Sequence, residues 1–150
     1  MKNLILLLTT LTLLPVSVQA SEEHPVRQIL TLSEELDMDR IDTCTQVIEI
    51  APEAVVSEPE CDYLAQEGAR VLTIMVETLV AEGQDVNKEN RHNIPGIAWD
   101  NLSIFEMGSM VMTAFELSDA AVYMGKNHPD MVSQYMSTEV LEQLTIGGVL

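Results

Sequence analysis

From Ser103 to Gly125 the chain reads SIFEMGSMVMTAFELSDAAVYMG, the longest apolar periodic run beyond the amino terminus. Ile104, Met107, Val111, Ala114, Ser118 and Ala121 recur at the three-and-four spacing of one helix face, and Met110, Leu117 and Met124 form an adjoining row. The apolar arc covers about half the circumference, more than a surface helix needs. A helix of this kind has to be packed on more than one side. Gly108, Ala114, Ser118 and Ala121 are small, so a second helix backbone is expected to come close along that arc.

A partner of matching length lies upstream. Ser57-Glu58-Pro59-Glu60 has the form of a capping box with proline in the first turn, and a helix is expected from there to Gly83. Cys61, Leu64, Ala65, Gly68, Leu72, Met75, Val76 and Leu79 make its buried stripe, while Gln66, Arg70, Thr73 and Glu77 face water. Ser103 and Glu106 form a second capping box at the start of the other long helix. The two should pair as the spine of the fold.

Shorter helices complete the bundle. Pro25 opens one that ends near Asp37, with Val26, Ile29, Leu30, Ser33 and Leu36 inward. A second runs from about Asp39 to Ile50 on Ile41, Cys44, Ile48 and Ala51, although Gln46 to Ile50 has strand-forming residues as well. Ala51-Pro52 breaks it. Asn127-His128-Pro129 starts another, and Gly147-Gly148 ends a last one that begins near Ser137 or Thr138. The expected class is all-α: a small helical bundle of about five to six helices built on two long ones.

The amino terminus is of a different kind. Lys2, the apolar run Leu4 to Val18 and the small-residue end Val18-Gln19-Ala20 have the form of a secretory signal peptide. Residues 1–20 are therefore expected to be cleaved, leaving 21–150 as a single all-helical domain in the periplasm or secreted. Pro15 interrupts the run, which is short of the roughly 20 apolar residues that span a bilayer, so no membrane insertion is expected after cleavage. In an exported chain Cys44 and Cys61, the only two cysteines, read as a structural disulfide that ties the second helix to the start of the third.

Charge narrows the partners. The full chain has 24 Asp and Glu against 7 Lys and Arg; without Lys2 the formal charge becomes 6 − 24 = −18. Nucleic acid and anionic membranes are repelled by such a field, and basic proteins are attracted. Residues 21–67 hold 13 of the acids and only Arg27 and Arg40.

Each group of possible ligating or binding side chains has a plain solvated surface as its alternative. Met107-x-x-Met110-x-Met112 offers thioethers suited to Cu(I), but Met107 and Met112 lie about 140° apart on a helix. Asp37-x-Asp39-x-x-Asp42 and Asp85-x-Asn87-x-Glu89 are like calcium loops that lack the sixth-position glycine and the twelfth-position glutamate. His24, His92 and His128 are scattered and read as surface residues. Trp99 ends the long connection Gln84 to Leu102 and serves either as a pin for that loop or as an anchor for a partner.

No cofactor is implied. The leading expectation is a non-enzymatic binding protein, an inhibitor or immunity protein for a basic partner. Glu34, Glu35, Asp37 and Asp39 would steer that partner, and Trp99, Phe105, Met112 and Tyr123 would anchor it. The alternative is a binder of a small apolar ligand or Cu(I) in a methionine-lined pocket, and a hydrolase using loop carboxylates is third.

Overall fold

The computed structural model describes residues 24–92 and 102–150, and all regular structure among them is helical. Helix α1 (Pro25–Glu35) starts on proline, with the His24 ring accepting from the Val26 N–H. Helix α2 (Met38–Ile50) is capped by the Asp37 carboxylate, which accepts from the Arg40 N–H. Gln46 to Ile50 is thus helix. Its β-branched residues continue an established α-turn, and no neighbouring strand offers them a ladder.

Pro52 then starts a 3₁₀ helix (Pro52–Ser57) before α3 (Pro59–Ala81). This corrects the expected cap. Ser57 closes the 3₁₀ turn and its hydroxyl donates backward to the Ala54 carbonyl at 2.9 Å, so Glu58 occupies the cap position with no side-chain hydrogen bond. Just beyond the end of α3 stands Gly83, whose φ of +67° suits glycine, while the Gln84 N–H returns to the Leu79 carbonyl. All eight residues of the expected inner stripe of α3 are buried, and Glu67, Ala69, Val71 and Thr78 are buried as well. The helix is central rather than one-sided.

The second long helix is continuous but changes its winding. It comprises α4 (Ile104–Met110), a π-helical segment (Val111–Glu116) and α5 (Leu117–Asn127). Ser103 and Glu106 form the full capping box, and the hydrogen bonds from Ser103 to the Glu106 carboxylate hold its pKa below the usual value. The π segment widens the turn by one residue, which rotates the upstream face. Met110, not Val111, therefore enters the core. Val111 is 42% exposed and Ile104 81% exposed, correcting their expected places on the buried face, whereas Ala114, Leu117, Ser118, Ala121 and Met124 are buried as expected. Short helices α6 (Pro129–Ser133) and α7 (Thr138–Ile146) close the chain; Ser137 caps α7.

Helices α3 and α5 form the largest contact in the fold. Gly68 makes it possible: a Cβ there would lie 2.8 Å from the Leu117 carbonyl oxygen and 2.9 Å from the Ala121 Cβ. Gly108, the other small residue expected at a close crossing, is exposed with nothing near it. We expect Gly68→Val to cost about 2 kcal/mol or more by forcing the spine apart. Gly108→Ala should stabilise by about 0.5–1 kcal/mol through helix propensity. Urea unfolding of the two variants checks both signs.

The Cys44–Cys61 disulfide joins α2 to the first turn of α3, with Cα atoms 4.9 Å apart and both residues wholly buried. Nearby, Tyr63 of α3 accepts the Asp37 N–H on its hydroxyl and carries the Arg40 guanidinium over its ring at 4.2 Å. One face of α2 is thereby held against α3. No described helix is long and apolar enough to cross a membrane.

Candidate functional site

Helices α2 and α5 both pack on α3 but hardly touch each other, and the space between them is a groove of about 490 Å³. That volume falls within the roughly 300–1,000 Å³ typical of ligand sites. Its floor is Leu64 of α3 with Thr113 and Leu117, all buried. One wall is a single face of α2, carrying Met38, Ile41, Asp42, Thr45, Ile48 and Glu49. The opposite wall runs across the π segment and α5 through Met112, Glu116, Asp119, Ala120 and Tyr123. Each wall spans eleven residue steps, about 16 Å of α-helix.

Apolar surface and negative charge coincide there. Met38 is 43% and Met112 45% exposed, a high exposure for large apolar side chains inside a concavity. Asp42, Glu49, Glu116 and Asp119 line the groove, and among the described residues no lysine or arginine does. Asp119 is paired: Arg91 contacts its carboxylate, and His92 Nε2 lies 3.0 Å from the same oxygen. The other three have no ion pair among the described residues. The nearest arginine on α2, Arg40, is turned away toward Tyr63 and the Pro59 carbonyl.

The winding of the second wall follows from the π segment. Met112, Glu116 and Ala120 stand four residues apart and so share one face, while the extra residue of the π segment rotates the helix upstream of it by about 100°. π-helical turns recur at functional sites because they re-aim side chains in this manner. Outside the groove, His92 stacks on Phe115 of the π segment with ring centroids 4.7 Å apart. It is half-buried and paired, not the freely solvated residue expected from the sequence.

The structure brings together only part of the expected partner-binding set. Met112 and Tyr123 stand on one wall of the groove. Glu34, Glu35, Asp37 and Asp39 are exposed at the α1–α2 corner, near the end of the groove formed by Leu36 and Met38. Phe105 is 89% exposed on α4 and does not line it. Trp99 lies outside the described residues.

Other candidates are dispersed. Met110 is in the core whereas Met112 faces the groove, so the Met107, Met110 and Met112 set does not share one environment. Among the described residues no three His, Cys, Asp or Glu side chains are grouped to hold a metal ion. Asp37 is used as a cap while Asp42 enters the groove, which separates the first calcium-like sequence; in the second, Asn87 accepts the Asn90 N–H.

Asp42, Glu49, Glu116 and Asp119 were missed as site residues. The available signal was the row Met38, Asp42, Thr45 and Glu49, a mixed apolar and acidic face of α2 lying beside its Ile41 and Cys44 core face. No family model, curated protein or solved structure matches the chain.

Proposed function

We propose that this chain is an exported, non-enzymatic binding protein, periplasmic or secreted, that takes a basic protein partner into the groove between α2 and α5, as an inhibitor or immunity protein would. The observation that carries this reading is an apolar groove whose charged lining, among the described residues, consists of carboxylates, three of them without an ion pair there. Apolar walls supply affinity when they are covered, and like-signed rim charges supply steering and selectivity. The leader-like amino terminus and the buried disulfide support an exported location. The exposed Glu34, Glu35, Asp37 and Asp39 extend the negative field to the α1–α2 corner.

The groove's volume also suits a small apolar ligand, the competing reading. The partner reading is preferred because a neutral ligand leaves the unpaired carboxylates unused. The test uses the disulfide-bonded chain from residue 21, immobilised at low salt against extracytoplasmic extract of its source. A specific basic protein should be retained, with an association rate that falls steeply as salt shortens the screening length to about 10 Å and below. Exchanging Glu34, Glu35, Asp37 and Asp39 for their amides should slow association without changing the unfolding midpoint. Recovery of no basic protein, or an association rate indifferent to both salt and these changes, rejects the reading.

A further inference from the structure

Resting on that reading, we propose that the part of the partner seated in the groove is a cationic amphipathic α-helix of about three to four turns, which completes the bundle over α3. Two helices flank a third and stand apart along about three turns of each. In a helical bundle that is the position of a further helix, resting between two neighbours at the usual 8–10 Å spacing. A helix laid there would place an i, i+3, i+4, i+7 apolar stripe against Met38, Met112, Tyr123 and the Leu64 floor.

The charges set its polar edges. Asp42 and Glu49 are seven residues apart on α2, about 10 Å along the axis, and Glu116 faces them from the other wall. One small cation cannot neutralise three carboxylates distributed in this way. Lysines or arginines at seven-residue spacing along one edge of a helix can, with another on the opposite edge for Glu116. A second copy of this chain is a poor occupant, because from residue 21 each copy carries a formal charge of 6 − 24 = −18 and the two would repel.

The probe is a synthetic Leu/Lys peptide of about fourteen residues, four helical turns, whose leucines form one stripe. It is titrated against the disulfide-bonded chain by calorimetry and by NMR of methionine methyl groups. Binding should be one to one, with the Met38 and Met112 resonances moving. Asp42→Lys with Glu49→Lys should weaken it at least about tenfold, and Thr45→Trp, which fills the groove from an exposed position, should do the same. Glu53→Lys with Glu82→Lys, an equal charge change outside the groove, should shift affinity less than about threefold. Circular dichroism establishes that each variant is folded.

Equal affinity for a peptide of the same composition in scrambled order overturns the proposal, since charge alone would then account for binding. So does equal affinity for dodecyltrimethylammonium, which would make the occupant a small amphiphile, or a groove-dependent dimer of the chain itself that Thr45→Trp dissociates. If the peptide fails while a basic protein is captured with salt-dependent kinetics, the helix inference falls and the proposed function stands. If the peptide binds as described but no basic protein is recovered, the groove's preference stands and the proposed function falls.

Discussion

Leu72→Asp is expected to leave the chain unfolded, whereas Val111→Asp folds with nearly the parent's Tm. The two residues occupy equivalent-looking places in their sequence stripes, yet Leu72 is wholly buried and Val111 is 42% exposed. An aspartate at position 72 would lose the leucine's packing and bury a carboxylate in an apolar cluster, at a cost of several kcal/mol. Total stability of a domain is about 5–15 kcal/mol, so the folded population collapses. At position 111 the carboxylate stays in water, because the π turn has handed the core position to Met110. Far-UV circular dichroism with thermal melts separates the cases. A folded Leu72→Asp would refute the burial of that position in α3, and an unfolded Val111→Asp would show that the register around the π segment is wrong.

Removing the cross-link has the next largest effect. Cys44→Ala with Cys61→Ala should lower stability by about 3 kcal/mol, the loop-closure value for a bridge of this span, and lower Tm by about 10 °C. The loss is not confined to global stability. Only Ile41 and Cys44 of α2 are buried, so the helix depends on the bridge and the Tyr63–Arg40 contact to stay on α3. Hydrogen exchange should therefore accelerate in α2 before it does in the centre of α3. Parent and variant with the same unfolding midpoint in urea would refute a stabilising role for the bridge.

These two expectations also show where sequence periodicity is informative and where it fails. The stripe of α3 was legible because 23 residues of regular α-helix keep one period from end to end, and all eight positions of that stripe are buried. Ser103 with Glu106 was legible because a capping box is closed entirely within four residues. The disulfide followed from an even cysteine count in a chain with a leader-like start. Each of these depends on local chemistry or on a single uninterrupted repeat.

Ser57 carried the same local pattern as Ser103 and behaved differently. Its hydroxyl was taken by the 3₁₀ turn that Pro52 begins, a competition between two local hydrogen-bonding options that spacing does not rank. In the other long helix the period itself shifts within Val111–Glu116, so extrapolating the downstream face back through it misplaced Ile104 and Val111. The sequence by itself determined the helical class, the partner helices of the spine, the bridge between α2 and α3 and the acidic balance, because these follow from composition and from contacts between near neighbours. Tertiary structure alone decided that α2 and α5 stand apart on α3. That separation depends on how closely Gly68 lets α3 approach Ala121 and on how the bridge and Tyr63 hold α2, and it converts Asp42, Glu49 and Glu116 from scattered surface acids into the lining of one groove.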